Sequence, residues 1–149
     1  MASTFQSDAV TGARPSIDCA EAGEVKAVRG TYDLAAALVV NDVIELVKIP
    51  QGHVIVDAIV DCDDLDSDGS PAIVMDFGEV GGDVDALIAA STVGQAGGLA
   101  RMDQKTGPRL IASSAEMTLG AKVTTAPATG ATTGTIGLTV LYRPANFGA

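Results

Sequence analysis

The clearest strand pattern in this sequence is HVIVDAIVDC, which occupies residues 53–62. Every even-numbered position in it is apolar, whereas Asp57 and Asp61 interrupt the odd-numbered face. Such alternation is typical of a β-strand that packs one face against a core and exposes the other face to water. The stretch therefore predicts a half-buried strand.

Segments with a similar pattern lie on both sides of this strand. We predict further strands in the segments 24–29, 43–49, 72–77, 99–102, 109–112, 117–123 and 135–142. Within the 43–49 strand, Val43, Val47 and Ile49 are expected to share one face. The last two strands are expected to form a hairpin, whose connection at residues 125–134 contains only Thr, Ala, Gly and Pro.

Two other apolar segments have a less regular pattern. The seven apolar residues 34–40 fit a buried strand and a helical turn equally well. The residues after Asp83 have helical spacing, which predicts one short helix through Ala90 with Asp83 as its N-cap. Many short strands with at most one short helix indicate an all-β fold, namely an antiparallel β-sandwich.

The chain of 149 residues has the length of one domain that can bury its own core. Residues 1–23 are rich in Ser, Thr, Ala, Gly and Asp and show no period, so we interpret them as an extended N-terminal arm. The arm is either a frayed terminus or a segment that orders on a neighbouring subunit. Residues 24–149 are expected to form a single β-sandwich domain, and no signal peptide or membrane span is recognised.

The charge of the chain is uneven. Nine Lys and Arg against 19 Asp and Glu give a net charge of −10, and ten of the acids lie between residues 49 and 100, where there is no Lys or Arg. Such a chain is a poor partner for nucleic-acid phosphates. Only 3% of its residues are aromatic, which also argues against base stacking. Solvent, a cation or a basic partner would have to compensate the acidic segment.

One part of the acidic segment is similar to a calcium-binding loop. Asp64, Asp66 and Asp68 alternate before Gly69, as carboxylates do at the start of such loops. The similarity then ends, because Met75 stands where an EF-hand needs a bidentate Glu. Two interpretations stay open: a solvated acidic turn, and a calcium site in a β-loop with these three aspartates as ligands.

The residues for an enzyme are few. The only histidine is His53, and no serine or cysteine lies near it in a recognised nucleophile motif. Cys19 and Cys62 do not have the spacing of a zinc motif, and they are expected to be free thiols or one disulfide. No glycine-rich segment has a phosphate-binding pattern. We therefore predict no enzyme, with no catalytic or cofactor-binding residues and no small-molecule substrate.

The order of several longer segments is similar to that of a known family. They are VIELVKIP at 43–50, GHVIVDA at 52–58, DDLD at 63–66, IVMDFG at 73–78 and TVLYRP at 139–144. Together with the polar arm, this order resembles small structural proteins of tailed bacteriophages, in particular capsid decoration proteins, also called cement or head-stabilising proteins. The resemblance spans about residues 25–144.

This resemblance implies a jelly-roll type of β-sandwich that assembles as homotrimers on the outer surface of an icosahedral capsid and bridges neighbouring major capsid proteins. We therefore expect a structural virion protein, made in the host cytoplasm, whose partner is the major capsid protein and which binds neither nucleic acid nor membrane. Two alternatives stay open. One is a calcium-dependent receptor- or glycan-binding β-sandwich module, and the other is a different phage component such as a head-tail connector or a fibre base.

Overall fold

Eight β-strands build this protein within residues 24–145, the part of the chain that the computed structural model describes. They are β1 (Lys26–Asp33), β2 (Val43–Ile49), β3 (His53–Cys62), β4 (Val74–Glu79), β5 (Ile88–Ser91), β6 (Gly98–Arg101), β7 (Met117–Thr125) and β8 (Thr135–Pro144). Two short 3-10 helices occupy Val93–Gln95 and Gly107–Arg109. The predicted N-terminal arm, residues 1–23, lies outside the described residues.

The strands form two four-stranded antiparallel sheets. The first sheet has the order β1-β8-β3-β6 and the second has the order β2-β7-β4-β5. Strand β1 pairs with β8, β2 with β7, β3 with β6 and β4 with β5, so the chain is paired like one long hairpin rolled into two layers. This nested order is that of a jelly roll. The predicted all-β antiparallel β-sandwich is confirmed.

The predicted hairpin between the last two strands is wrong. Strand β7 lies in the second sheet and β8 lies in the first, so the loop between them crosses from one layer to the other. Alternating residues identify a strand, but they do not identify its partner. Here β8 finds its partners in β1 and β3, and β7 finds its partners in β2 and β4.

The core lies between the two sheets and is almost entirely aliphatic. Its largest fully buried side chains are Phe77, Ile49, Ile55, Leu65, Ile73, Met75, Leu87, Leu119, Ile136, Leu138, Val60 and Val123. Phe77 is the single aromatic ring in this group. The low aromatic content of the sequence is therefore reflected in a core packed mainly from branched aliphatic residues, which suit the pleated surface of a sheet.

Two β-bulges change which residues face the core. In β3 the pairing register shifts between Ile55 and Asp57, so Ile55 is buried and Val56 is 36% exposed. In β2 the register shifts between Glu45 and Val47. An extra residue in one strand reverses the alternation beyond it. The predicted burial of Val56 is therefore wrong.

The second bulge has the same effect on the predicted face of β2. Val47 and Ile49 are buried as expected, but Val43 is 50% exposed and Ile44 is buried in its place. The residues before the bulge therefore have the opposite phase to those after it. A strict two-residue period was the wrong assumption for this strand.

The predicted helix from Asp83 through Ala90 is absent. Residues 80–87 form a turn, and Ile88–Ser91 is strand β5. Ala90 has a φ of 51°, which is incompatible with a right-handed helix, and its N–H donates to Asp76 Oδ1 at 2.7 Å. Leu87 instead donates its N–H to the carbonyl of Phe77, so the segment folds back along β4.

The remaining secondary-structure predictions include one wrong strand and several confirmed strands. The undecided segment 34–40 is a loop whose Leu34 and Leu38 are buried. Residues 109–112 do not form a strand and contribute only a single bridge, between Ile111 and Val54. The other predicted strands are confirmed, with ends that differ by a few residues.

Candidate functional site

The acidic segment of the sequence is divided by the fold among three places. Asp57 and Asp61 lie on β3 and face away from the core. A second group lies in the β3–β4 loop, at residues 63–68. The third group, on β4 and in the turn after it, comprises Asp76, Glu79, Asp83 and Asp85. The segment is therefore not one acidic surface.

Asp66 is the most constrained of these carboxylates, because it is only 1% exposed. Its Oδ2 atom accepts N–H groups from Ala72 at 2.7 Å, Ile73 at 3.2 Å and Ala128 at 2.8 Å. Its Oδ1 atom accepts the N–H of Thr129 at 2.8 Å. These bonds connect the β3–β4 loop to the β7–β8 loop, so one side chain holds two loops together at one end of the sandwich.

The charge of Asp66 is stabilised where it lies. Burial on its own would raise the pKa of this carboxyl. The hydrogen bonds from Thr129, Ala72, Ala128 and Ile73 outweigh burial and lower the pKa below its usual value. Asp66 is therefore ionised, and it serves as the acceptor for backbone groups that the loops would otherwise leave without partners.

The other two predicted calcium ligands also make hydrogen bonds within the loops. Asp64 Oδ1 accepts the N–H of Asp66 at 3.0 Å. Asp68 Oδ1 accepts the N–H of Ser70 at 2.9 Å, and its Oδ2 accepts the hydroxyl of Thr129 at 2.9 Å. Within residues 24–145, no group of three or more His, Cys, Asp or Glu side chains is arranged to hold a metal. Calcium binding by this loop stays a prediction.

A calcium titration followed by thermal melting tests that prediction. Because the oxygens of Asp66 already accept amide hydrogens, the exposed ligands would be Asp64 and Asp68. An ion bound to the folded state raises the melting temperature, by an amount that grows with its concentration. A calcium site therefore predicts a rise that magnesium does not reproduce and that Asp68→Asn abolishes. An unchanged melting temperature at millimolar calcium would contradict the prediction.

The outer face of the first sheet is a second candidate site. Cross-strand register places residues of all four strands on this face, on the side away from the core. They include Ala27, Arg29, Thr31 and Asp33 of β1, Thr135, Gly137, Thr139 and Leu141 of β8, Asp57, Ile59 and Asp61 of β3, and Leu99 and Arg101 of β6. We call these residues the outer face.

An ion pair crosses the middle of the outer face. Arg29 Nη2 donates to Asp61 Oδ2 at 2.7 Å, Nη1 donates to Oδ1, and Nη1 also donates to Thr139 Oγ1 at 3.2 Å. The hydrogen bond from Arg29 lowers the pKa of Asp61. Gly137 lies between the two partners, and a Cβ there would come within 2.6 Å of Asp61 Oδ1. Glycine at this position therefore lets the ion pair lie flat across β8.

A second ion pair lies beside the first. Arg101 donates through Nε to Asp57 Oδ2 at 2.9 Å and through Nη2 to the same oxygen. Each arginine thus neutralises one aspartate of β3. Asp33, at the end of β1, accepts the hydroxyl of Thr135 at 2.8 Å. Exposed ion pairs add little to folding stability. Their main consequence here is that the two β3 aspartates of the face are compensated in a chain whose total charge is −10.

Apolar side chains lie among these charges. Leu99 is 76% exposed and has the greatest exposure among the large hydrophobic residues described. Ile59 and Leu141 are partly exposed, and Val56 emerges beside them at the bulge. A sheet face with paired charges and exposed aliphatic groups has the composition of a surface that buries against another protein.

The two residues that enzyme chemistry would use have structural roles. Cys62 is a buried free thiol. Burial, followed by the charges of Asp63, Asp61 and Asp64, raises its pKa to about 12, so it stays protonated near neutral pH. His53 packs its ring edge-on against Tyr142, with 5.2 Å between ring centres. Cys19, the other cysteine, lies outside the described residues.

Comparison with solved structures shows which proteins this chain is related to. A chain in the capsid of Ralstonia phage GP4 is 40% identical to it, with a TM-score of 0.76, over 87% of this chain and 89% of that one. The protein belongs to this family of phage capsid proteins. A chain of the cyanophage Pam1 capsid asymmetric unit has the same fold, with a TM-score of 0.73 and 24% identity over the same shares. No protein-family model and no curated protein matches the sequence.

For this phage capsid protein, the broader part of the predicted resemblance is confirmed. Its relatives are capsid proteins, and the β-sandwich fold agrees with the one that the resemblance implied. Among the described residues, no helix is both long enough and apolar enough to cross a membrane.

The sequence predicted the two aspartates on the capsid protein's outer face but not the arginines that pair with them. The period of β3 predicted that Asp57 and Asp61 face water, but their partners are 44 and 32 residues away in the chain. Counting charges along the sequence therefore assigned both aspartates to an uncompensated run. The register of β1 and β6 against their neighbours was the missing information, and no local pattern supplies it.

Proposed function

We propose that this protein decorates the outer surface of an icosahedral phage capsid and stabilises the shell by bridging neighbouring major capsid proteins. The observation that supports this most is the 40% identity with a capsid chain over nearly the whole length of both. We propose in addition that it has no catalytic role. A single small jelly roll with paired charges on one face is suited to adding contacts across a boundary rather than to turnover.

The proposed stabilisation depends on multivalency. One domain of this size offers a small contact area to each capsid subunit, and a small contact alone gives weak binding. In a homotrimer, the first contact makes the second and third intramolecular, so the overall affinity can rise by factors of about 10² to 10⁴. The proposed trimer therefore converts weak single contacts into a stable attachment that links several capsid subunits.

Capsids assembled without this chain provide the test. We expect the purified protein to bind to the outside of such particles and to raise the temperature at which they release their genome. The physical reason is that binding to the intact shell, and not to its dissociated subunits, shifts the equilibrium toward the shell. An acidic protein of similar mass serves as the control for non-specific binding.

Two results would contradict the proposal or favour another phage component. Particles that lack the protein and are as heat-resistant as complete particles, without binding of added protein, would contradict the proposal. Binding confined to one vertex would favour a head-tail connector or a fibre base. The proposed role of the arm is tested in the same assay, because removal of residues 2–23 should weaken binding if this segment reaches a neighbour.

A further inference from the structure

We infer that copies of this chain associate with one another through the outer face of the first sheet. The inference rests on the proposed function, in which several copies act together. It names a face through which two copies meet by two-fold symmetry, a contact separate from the three-fold contact of the proposed homotrimer.

Charge selects the surfaces through which identical copies can meet. Each copy carries a net charge of −10, so two copies repel one another wherever uncompensated acids come together. On the outer face, Arg29 neutralises Asp61 and Arg101 neutralises Asp57. Their donors and acceptors already have partners, so burying these two ion pairs isolates neither charge. Asp33 lies at the end of the face, where the hydroxyl of Thr135 donates to it at 2.8 Å.

The area of the face is sufficient for a specific interface. The first sheet has four strands, and the chain after β6 extends its edge through bonds from Met102 N–H to the Ala58 carbonyl and from Ile55 N–H to the Leu110 carbonyl. Three strands have 8 to 10 residues and β6 has four, and strands lie about 4.8 Å apart with about 3.3 Å per residue, which gives a face of roughly 500 Å². Two such faces would bury on the order of 1,000 Å², which is near the lower limit for specific association.

The apolar groups on the face supply its attraction. Leu99 lies at the β6 edge, with three quarters of its surface exposed, and it is opposite Asp61 in the register. Its burial on association would remove this aliphatic surface from water. Ile59 lies on β3 between the two paired aspartates, and Leu141 is opposite Asp57 on β8.

The main competing surface is the corner where β1 and β2 are close. Four apolar residues are exposed there: Tyr32, Val39, Val40 and Val43. Asp42 and Glu45 lie beside them, and neither forms an ion pair with any residue in the described range 24–145. Two copies that met at this corner would bring unpaired acids together.

The outer face of the second sheet is also less suitable for self-association. The turn at residues 80–87 lies over it, because a Cβ on Gly78 would collide with the backbone at Asp83 and Val84. The same turn carries Asp83 and Asp85, and the proximity of Asp85 raises the pKa of Asp83. This sheet therefore presents an uneven and acidic surface.

The test measures the mass of the full-length protein in solution by light scattering and sedimentation. We expect a wild-type mass of at least twice the 15.0 kDa of one chain. Leu99→Lys should raise the dissociation constant by a factor of roughly 10 to 100, since it removes the exposed apolar group and adds a charge. Val43→Lys is the matched control, because it makes the same chemical change at an exposed site on the other sheet and should leave the mass unchanged.

A charge exchange tests the role of the paired charges. Arg101→Asp alone places two acids together on the face and should weaken association about tenfold. Adding Asp57→Arg re-forms the ion pair with its two charges exchanged and should restore the wild-type mass of the oligomer. Melting curves of every variant show that the monomer is still folded, as expected for substitutions at exposed positions.

Three outcomes would overturn the inference. They are a monomeric wild type, a Leu99→Lys variant that keeps the wild-type mass, and a Val43→Lys variant that dissociates when Leu99→Lys does not. Failure of the proposed function has a different signature. In that case, the wild-type protein would associate in solution through the outer face but would not bind capsids.

Discussion

Replacing Asp66 with alanine should lower the melting temperature by roughly 15 °C. Four N–H groups, from Ala72, Ile73, Ala128 and Thr129, would lose their charged acceptor together. The N–H of Ile73 is buried, so without a partner it costs more than its hydrogen bond contributed, and the other three bonds are partly buried. Thermal melting followed by circular dichroism measures the effect.

Asp68→Ala is the matched control, since Asp68 is an exposed carboxylate two residues further along the same loop. We expect it to change the melting temperature by no more than a few degrees. Asp66→Asn should be nearly as destabilising as Asp66→Ala, because one amide NH₂ group would face the backbone donors. Equal, small effects of all three substitutions would contradict the role assigned to Asp66.

The same carboxylate predicts a dependence on pH. Its pKa is lower in the folded state than the usual 3.8, so its contribution to stability is complete above that value and is lost as the pH falls below it. The difference in stability between the wild type and Asp66→Ala should therefore be constant near neutral pH and should decrease in strong acid. A difference that grew on acidification would contradict this assignment.

Replacing Gly30 with valine should destabilise the fold by about 3 kcal/mol, which corresponds to a fall of roughly 10 °C in melting temperature. A Cβ at this position would overlap the carbonyl of Leu46 and lie 3.0 Å from Val47 Cγ1. Strand β1 belongs to one sheet and β2 to the other, so their approach is fixed by the packing of both layers. The clash is with backbone, and it cannot be relieved by rotating a side chain.

Thr31→Val is the matched control for Gly30→Val. Thr31 is the next residue of β1 and faces outward, opposite Gly137. A β-branched residue replaces another there without adding volume to the core, so we expect a change of no more than about 0.5 kcal/mol. Denaturant unfolding measures both variants. A Gly30→Val protein as stable as Thr31→Val would show that the two sheet edges can separate at this corner without cost.

The strands show how much of the fold can be predicted from local sequence patterns. The alternation in residues 53–62 predicted β3, and similar patterns predicted six of the other strands near their observed bounds. The pattern after Asp83 gave the wrong element, because the pairing of β5 with β4 outweighed a weak helical spacing. The bulges at Val56 and Leu46 were also missed, since an inserted residue has no clear signature in composition.

The candidate sites show the same division. The aspartate loop was recognisable as unusual from its spacing, and calcium was one reasonable interpretation of it. The partners of Asp66 were not recognisable, because Ala128 and Thr129 are 62 and 63 residues away and contribute only backbone groups. Any residue can supply an N–H, so no side chain in the sequence marked these positions.

By itself, the sequence determined that this chain forms a β-sandwich with an aliphatic core and that its excess charge is acidic. Both are sums of local properties, namely the period of each strand and the identity of each residue. Only the tertiary structure decided that β7 and β8 lie in different sheets, that Arg29 and Arg101 neutralise the β3 aspartates, and that Asp66 holds two loops. Each of these depends on contacts between residues distant in the chain, whose geometry exists only after both layers have packed together.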